Sequence, residues 1–223
     1  MINKELQQRI LSSIILVPVS FFFIIQGSFY FIFFLSLIFL ATSLEWFKMT
    51  KRKDLLRIFG LFFLFFSFFS TIYLRNYIGF NFFLFLIIIC IFTDIGGYIF
   101  GKTFKGPRLT KVSPKKTYSG VIGSFLFSLI FGLIYIKYSE QTSRILEIDL
   151  VFIILLILFI SLVSQIGDLI ISYFKRKAKL KNAGKIIPGH GGFLDRIDGI
   201  IFVMPITYLF VLPILINKLD FIK

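Results

Sequence analysis

Residues 151–174 read VFIILLILFISLVSQIGDLIISYF, and Asp168 is the only charged residue among them. A helix of about 20 apolar residues is long enough to cross the hydrocarbon core of a bilayer. Every backbone N–H and C=O group must find an internal partner there, which a helix provides and an open strand does not. This stretch therefore predicts a transmembrane helix.

Further apolar runs accompany this one along the chain of 223 residues, of which 57% are hydrophobic. Together the predicted spans are residues 10–25, 29–47, 55–74, 78–100, 121–136, 151–174 and 193–216. The runs lack the alternation of a membrane β-strand, and the interruption at residues 26–28 predicts a tight hairpin between the first two. We predict an all-α polytopic integral membrane protein with about seven transmembrane helices, in which residues 1–223 form a single transmembrane domain. Its N-terminal spans lie at 10–74, and the spans and loops that carry the polar motifs lie at 78–216.

Positive charge collects in alternate loops of this predicted topology. The formal net charge is +14, and most of the 25 Lys and Arg residues precede the first span or lie in the second, fourth and sixth loops. The positive-inside rule assigns these loops and the N-terminus to the cytoplasm. Basic loops between apolar spans favour lipid or nucleotide phosphate as partners and argue against nucleic acid. The lone Cys90 has no second cysteine with which to form an intrachain disulfide.

Two carboxylates lie inside predicted spans, where an ionised group is costly. Asp94 precedes Lys102 by 8 residues and Asp168 precedes Lys175 by 7. At about 1.5 Å per residue, both therefore sit roughly 10–12 Å inside the helix ends. A charge there costs on the order of 2.5–3.5 kcal/mol on insertion scales. Each carboxylate is expected to face a cavity or a cation, or, as the alternative, to pair with a Lys or Arg for helix packing.

Two more carboxylates mark the start of the last predicted span. Asp195 and Asp198 are three residues apart, so on a helix they share one face. Together with Asp168 they form a set that suits a hard divalent cation such as Mg²⁺, which would relieve their mutual repulsion. The alternative role is to offset the positive end of a helix dipole. Arg196, between them, is a candidate ion-pair partner or phosphate ligand.

A glycine-rich turn precedes these acids. Residues 187–192 read IPGHGG, so that Gly189, Gly191 and Gly192 surround His190, the only histidine in the chain. Glycines permit positive φ and the close approach of backbone to a ligand, and the helix N-terminus that follows favours an anion. The turn is therefore a candidate ligand-binding loop, with His190 as a candidate functional side chain.

Two further groups of polar residues are candidate phosphate contacts. The first group ends the sixth span and consists of Ser172, Lys175 and Arg176; its alternative role is snorkelling at the interface and setting topology. The second group belongs to the fourth loop and includes Lys102, Ser113, Lys115 and Lys116. This loop lacks the G-x-x-x-x-G-K-[ST] spacing, so a P-loop ATPase is not indicated.

The segment from Ser172 to Asp198 reads S-Y-F-K-R-x4-K-N-x-G-x-I-I-P-G-H-G-G-F-L-D-R-I-D. It closely resembles the motif of the phosphatidate cytidylyltransferases, the CDP-diacylglycerol synthases. The sequence S-Q-I-G-D at residues 164–168 resembles the preceding helix of that family. D-x3-Y-x2-G-K at residues 94–102 and S-P-K-K-T-Y at residues 113–118 resemble two further family blocks. The resemblance covers residues 94–198 in pieces, and its H-G-G-x-L-D-R-x-D core is long and discriminating.

The resemblance implies transfer of a cytidylyl group from CTP to phosphatidate, giving CDP-diacylglycerol and pyrophosphate in phospholipid biosynthesis. Asp168, Asp195 and Asp198 would hold Mg²⁺, with a second cation such as K⁺ left open, and His190 would orient a phosphate or assist protonation. The phosphate contacts would be Ser113, Lys115, Lys116, Ser172, Lys175, Arg176 and Arg196, with Asp94, Tyr98 and Lys102 as further candidates. The partners would be CTP, phosphatidate and membrane lipids, and a homodimer is left open. The active site would face the cytoplasm from the inner membrane.

Two departures from the family pattern bear on these expectations. The family usually has an acid where this chain has Asn182, so no metal role is assigned to that side chain. It usually has Glu or Gln where this chain has Ser119, so the polar contact of the family in that loop is not carried over to this chain.

Other functions stay open on the sequence. A transporter or lipid scramblase would explain carboxylates deep in the spans, but it does not require the glycine-rich turn beside the D-R-I-D helix start. A kinase or nucleotidyltransferase acting on another lipid, such as a polyprenyl phosphate, is a second alternative. A CDP-alcohol phosphotransferase is not indicated, because its D-G-x2-A-R…G-x3-D-x3-D spacing is missing.

Overall fold

A computed structural model describes residues 4–51, 53–110, 112–139, 150–189 and 191–214. Its helices are α1 (Lys4–Gln26), α2 (Ser28–Met49), α3 (Asp54–Tyr73), α4 (Phe80–Thr103), α5 (Tyr118–Tyr138), α6 (Leu150–Lys177), α7 (Leu194–Ile197) and α8 (Ile200–Ile206). Two π-helical turns, Leu74–Ile78 and Thr207–Val211, continue α3 and α8.

Six of these helices are long and apolar enough to cross a membrane. They are Gln7–Gln26, Ser28–Met49, Asp54–Ile78, Phe80–Thr103, Tyr118–Tyr138 and Leu150–Lys177. Each matches one of the first six predicted spans, which confirms an all-α polytopic membrane protein. The N-terminal orientation stays a prediction.

The seventh predicted span differs in its start. The sequence predicts one helix over residues 193–216, but the structure has the short α7, a turn at Asp198 and Gly199, and then an apolar helix over Ile200–Ile214. At about 1.5 Å per residue the apolar part is roughly 22 Å long, shorter than a hydrocarbon core of about 30 Å. A Cβ on Gly199 would overlap the Ser164 hydroxyl, so glycine allows the chain to approach α6 closely at this turn.

Backbone contacts divide the chain into two compact units. The first unit is Met1–Phe80 with Phe174–Asp198, and the second is Asn81–Tyr173 with Gly199–Lys223. The single transmembrane domain stays a prediction.

In the first unit, α1 and α2 form the predicted tight hairpin. Only Gly27 separates the two helices, and it has a φ of 63°, a left-handed conformation that glycine adopts without a steric penalty. Arg75 closes the hairpin from the end of α3, since its guanidinium donates to the carbonyls of Ile24 (2.7 Å) and Ile25 (2.9 Å). These carbonyls belong to the last turn of α1, where no intrahelical N–H is available to them.

The same unit packs α2 against both of its neighbours, α1 and α3. Trp46 of α2 is the anchor. The Trp46 ring lies against Gly60 of α3, where there is no room for a Cβ. The same ring contacts Phe174 edge-on, with a centroid distance of 5.1 Å. Because Phe174 lies near the end of α6, this contact brings the start of the motif segment next to α2.

In the second unit, small residues let α4 and α5 approach closely. A Cβ on Gly96 would overlap the carbonyl oxygen of Gly123, and one on Gly97 would lie 2.7 Å from the Ser124 hydroxyl. Glycine at helix crossings is a common device in membranes, where close backbone packing drives association. The Thr93 hydroxyl donates to Ser161 of α6 at 2.9 Å. This contact joins α4 to α6.

Candidate active site

Phe174–Asp198, most of the segment that resembles the family motif, belongs to the first unit and begins with a capped helix end. The N–H of Lys179 donates to the carbonyl of Arg176, and the N–H of Leu180 donates to that of Lys175, both at 2.9 Å. This pair of bonds is a Schellman motif, in which one residue adopts a left-handed conformation. Lys179 fills that position with a φ of 57°. The motif turns the chain sharply out of α6, directly after the candidate phosphate contacts Lys175 and Arg176.

Asp195 is the central acceptor of the loop that follows. Its Oδ1 lies 2.8 Å from the Lys175 ammonium, and its Oδ2 accepts the N–H groups of Ala183 (2.8 Å) and Gly192 (3.0 Å). Both side chains of the ion pair are only 10% exposed. Hydrogen bonds to an ionised group are roughly twice as strong as neutral ones. One carboxylate therefore joins the end of α6, the middle of the loop and the start of α7.

The glycine-rich turn closes on itself. Ile187 and Gly191 exchange two backbone hydrogen bonds, of 2.9 and 3.1 Å. Gly189 and Gly191 have φ values of 73° and 93°, so both occupy the left-handed region that the sequence predicts for them. His190 lies outside the described residues, and its predicted role stays a prediction.

Helix α1 holds this turn from the side. Arg9 Nε donates to the carbonyl of Gly189 at 2.9 Å, and the Ser12 hydroxyl donates to that of Pro188 at 3.1 Å. An apolar groove of about 310 Å³ lies between α1 and the turn. Its lining residues are Gln8, Leu11, Ser12, Ile15, Leu16, Ile186, Ile187, Pro188 and Phe193. An apolar surface thus borders the predicted ligand-binding loop.

Glu45 of α2 is a site residue that the sequence does not single out. It is fully buried, and its carboxylate accepts the N–H groups of Phe193 (3.1 Å) and Leu194 (2.9 Å) at the start of α7. The available signal is its charge, since Glu45 is the only charged residue in the predicted span 29–47. Its partners lie almost 150 positions later in the chain, so no local pattern identifies them.

The second unit brings together three of the predicted residues. Lys116 Nζ lies 2.5 Å from Asp168 Oδ2, and the Ser172 hydroxyl donates to Asp168 Oδ1 at 3.2 Å. Lys116 also contacts the carbonyl of Gln165 at 3.4 Å. About a quarter of the Lys116 and Asp168 side chains is exposed, so the pair is accessible to a ligand. The fourth loop and α6 therefore meet at a lysine and a carboxylate. This contact is of the kind given as the alternative for Asp168, pairing with a lysine, and its role as a metal ligand stays a prediction.

Ser119 stabilises the base of the fourth loop. Its hydroxyl donates to the carbonyl of Lys105 and lies 2.9 Å from the Thr117 hydroxyl. Thr117 in turn caps α5 by accepting the N–H of Gly120 at 3.1 Å, which satisfies one of the free donors of the first turn. The serine that departs from the family pattern thus keeps a polar contact across the loop.

The other predicted residues occupy more open positions. Asp94 is exposed on α4, and Lys102 Nζ lies 5.7 Å from the ring centroid of the exposed Tyr98. Arg176 is exposed and donates to the carbonyl of Leu180 at 3.1 Å. Asp198 is buried at 8% exposure and follows α7 with helical dihedrals of −57° and −34°. Of the remaining candidates, Lys115, Asn182 and Arg196 are exposed and Ser113 is half-buried.

The fit of these carboxylates to Mg²⁺ differs from residue to residue. Within each unit, the described residues hold no group of three His, Cys, Asp or Glu side chains placed to bind a metal ion. Asp168 fits best, because about a quarter of its side chain is exposed and a metal ion could displace Lys116 from Oδ2. Asp195 fits less well, because Lys175 and two N–H groups already engage both of its oxygens. The predicted set of three carboxylates stays a prediction.

The fold and these side chains define the class of protein. It is a polytopic membrane protein in which Lys116 pairs with Asp168 and Lys175 pairs with Asp195. Residues 55–213 match the Cytidylyltransferase family. The chain belongs to this family and is a membrane-embedded nucleotidyltransferase.

Relatives extend the similarity over most of the chain. A phosphatidate cytidylyltransferase of Rickettsia bellii (strain RML369-C) is 36% identical over 210 residues, covering 92% of this chain and 90% of the relative. One of Rickettsia conorii (strain ATCC VR-613 / Malish 7) is 35% identical over 216 residues, covering 93% and 91%. One of Bacillus subtilis (strain 168) is 36% identical over 131 residues, covering 58% of this chain and 47% of the relative.

Proposed function

We propose that this protein is a phosphatidate cytidylyltransferase, which converts CTP and phosphatidate to CDP-diacylglycerol and pyrophosphate. The observation that carries the proposal is the similarity to enzymes of that name over nine-tenths of the chain. The geometry is consistent with it, because the second unit holds the partly exposed Lys116 ammonium against Asp168, both in segments of the family pattern.

The reaction is a nucleotidyl transfer in which the protein need not form a covalent bond. A phosphate oxygen of phosphatidate attacks the α-phosphorus of CTP. The bond between that phosphorus and the oxygen bridging to the β-phosphorus breaks, and pyrophosphate leaves with the bridging oxygen. Positioning and charge neutralisation dominate such transfers. The work of the protein is therefore to hold two polyanions in contact.

In the second unit, Lys116 is suited to bind phosphate oxygens. Its ammonium now neutralises Asp168, and both side chains are about a quarter exposed. An arriving phosphate would compete with Asp168 for the ammonium group, and Lys116 would gain a doubly charged partner. Ser172, which donates to Asp168, would keep that carboxylate oriented during the exchange.

Asp168 would hold Mg²⁺ together with phosphate oxygens and water. Magnesium in proteins is commonly bound by one or two carboxylates while substrate phosphates and water complete the octahedron. The bound ion would neutralise charge that develops on the leaving pyrophosphate. A second cation such as K⁺, and the participation of Asp195 and Asp198, stay predictions.

In the first unit, the buried Lys175 is better suited to a structural task than to direct binding. Its ammonium is 10% exposed and fixed on Asp195. The exposed Arg176 and Arg196 are the more accessible phosphate contacts of this unit.

The apolar groove beside the glycine-rich turn would accommodate an acyl chain of the lipid substrate. It is bordered by the carbonyls that Arg9 and Ser12 hold in place. We assign this site to the cytoplasmic side of the inner membrane, because the basic loops of the chain would lie there under the positive-inside rule. A homodimer stays open.

The test uses the purified protein in lipid nanodiscs with radiolabelled CTP, phosphatidate and Mg²⁺. Labelled CDP-diacylglycerol and an equal amount of pyrophosphate are expected, and a chelator should stop the reaction. Lipid or ion flux without nucleotide turnover would instead identify a transporter. Turnover only with a different lipid phosphate would redirect the proposal to another lipid nucleotidyltransferase.

A further inference from the structure

Glu45 combines complete burial with a negative charge, and it sits beside the motif segment. Its side chain is inaccessible to solvent, and an ionised carboxylate in such a place is unfavourable without partners. Its partners are the N–H groups of Phe193 and Leu194, at 3.1 and 2.9 Å. Phe193 is the N-cap residue of α7 and Leu194 is its first residue, and N–H groups at the start of a helix have no intrahelical acceptor.

Two glycines of the motif segment lie so close to this carboxylate that there is no room for a Cβ. A Cβ on Gly192 would lie 2.5 Å from both oxygens of Glu45, and a Cβ on Gly184 would overlap Oε1. Neither glycine has a positive φ, so backbone conformation does not require glycine at either position. Glycine is required because the Glu45 carboxylate occupies the space that a Cβ would need. Two separate parts of the motif segment, Gly184 and residues 192–194, therefore contact one side chain that comes from another helix.

Glu45 and Asp195 divide the work of fixing the start of α7. Gly192 donates its N–H to Asp195 Oδ2 at 3.0 Å, while its α-carbon faces the Glu45 carboxylate. Asp195 accepts hydrogen bonds from the loop that leads into α7. Glu45 accepts the N–H groups of Phe193 and Leu194, which directly precede Asp195 in the chain. Removing either acceptor would leave buried N–H groups without a partner, which is unfavourable.

We propose that Glu45 is a positioning residue of the cytidylyl transfer, acting through the D-R-I-D turn. It lies outside residues 55–213, the region that matches the family. The kinetic part of this inference rests on the proposed function. Because a displacement of reacting groups by about 1 Å can lower a rate on the order of a hundredfold, Glu45 affects turnover without touching substrate.

The main test variant is Glu45→Gln, which keeps the shape of the side chain. A carboxamide has one oxygen acceptor, so one of the two N–H groups faces an NH₂ group and loses its bond. We expect kcat to fall about tenfold or more, while KM for CTP and for phosphatidate stays within a factor of about 3. Glu45→Ala should reduce kcat further.

Ser43→Ala is the matched control. Ser43 is also buried on α2, and its hydroxyl has no hydrogen-bond partner within the described part of the chain. Its removal should leave kcat and both KM values unchanged. If Ser43→Ala reduces kcat as strongly as Glu45→Gln does, general disturbance of α2 explains the loss and the inference is overturned.

Hydrogen–deuterium exchange supplies a readout that does not depend on activity. In the wild-type protein the amides of Phe193 and Leu194 should be protected, and Glu45→Gln should accelerate exchange in peptides over 187–200 while those over α3 stay unchanged. Fast exchange of the two amides in the wild type overturns the inference even if every variant fails to fold. If the wild-type protein is inactive with CTP and phosphatidate but these amides are protected, the proposed function is contradicted. The contact between Glu45 and the start of α7 is then still supported.

Discussion

At the scale of single residues, Asp195 is the acceptor on which the motif segment depends. Asp195→Asn would leave the Lys175 ammonium buried without its counter-charge, and breaking a buried pair in this way costs about 3–5 kcal/mol. We expect loss of cytidylyl transfer with membrane insertion intact. The measurements are turnover of the purified variant and the melting temperature in detergent. Near-normal turnover would show that neither the ion pair with Lys175 nor the carboxylate itself is needed for the reaction.

The control for this substitution is Asp54→Asn. Asp54 also pairs with a cation, Arg57 at 3.1 Å, but its side chain is 83% exposed. Exposed ion pairs contribute about 0–1 kcal/mol, so this variant should keep both its activity and its melting temperature.

Gly192 and Glu45 offer a second prediction, based on their steric relation. Gly192→Ala alone should destabilise the protein and reduce turnover, because the new methyl group would lie 2.5 Å from the Glu45 oxygens. In a Glu45→Ala background the space is free, and the same substitution should cost little more. A double-mutant cycle on melting temperature and kcat measures this coupling. Equal effects of Gly192→Ala in both backgrounds would exclude the steric explanation.

These residues also show how far a sequence can predict a site. The i, i+3 spacing of Asp195 and Asp198 and the positive φ of Gly191 are local properties, so the sequence predicts them. Lys175, the ion-pair partner of Asp195, is 20 positions away, and the partners of Glu45 are almost 150 positions away. Such contacts depend on how helices pack. An isolated carboxylate in an apolar run indicates that a partner exists, but it does not identify the partner.

At the scale of elements, α1 forms one wall of the apolar groove beside the glycine-rich turn. Leu11→Trp should fill the groove and raise KM for phosphatidate with long acyl chains several-fold, because a bulky ring would occupy the space proposed for the chain. KM for CTP should not change. Assays with short-chain phosphatidate separate the two cases, since the groove would matter little to a lipid without a long tail.

Val17→Trp is the control for the groove. At 100° per residue, position 17 lies on the face of α1 opposite to the groove, and Val17 is 66% exposed. The tryptophan there would face lipid and should leave KM for every substrate unchanged. If both variants raise KM equally, or neither does so, the groove does not bind the acyl chain.

The crossing of α4 and α5 leads to a stability prediction. Gly96→Ala would place a methyl group against the carbonyl of Gly123, and overpacking of this kind costs roughly 1–3 kcal/mol. The melting temperature in detergent should fall. Ile95→Ala removes an exposed side chain from the same helix and should have a smaller effect.

Element boundaries are predictable where their cause is local. The hairpin at residues 26–28 follows from a polar interruption that contains a glycine, and the structure confirms it within one residue. The last apolar helix begins at Ile200, later than position 193, where the apolar pattern begins. Apolarity alone does not distinguish a helix from the α7 turn, which Glu45 and Asp195 define through tertiary hydrogen bonds.

At the scale of the whole molecule, the distribution of charge makes a prediction about topology. The N-terminus and the loops after α2, α4 and α6 carry most of the 25 basic residues. Those loops should therefore share one side of the membrane, the cytoplasm. The loops after α1, α3 and α5 should lie on the other side.

Single cysteines test this prediction in a Cys90→Ser background, in which the buried native thiol is absent. Lys115→Cys and Lys181→Cys replace exposed lysines of the fourth and sixth loops, and Lys137→Cys replaces an exposed lysine at the end of α5. In intact cells a membrane-impermeant maleimide should label only Lys137→Cys, and in inverted vesicles only the other two. Labelling of Lys115→Cys and Lys181→Cys from opposite sides would mean that α5 and α6 do not both cross the membrane, which would contradict the predicted topology. Since CTP is supplied from the cytoplasm, labelling of both from outside the cell would contradict the proposed location of the active site as well.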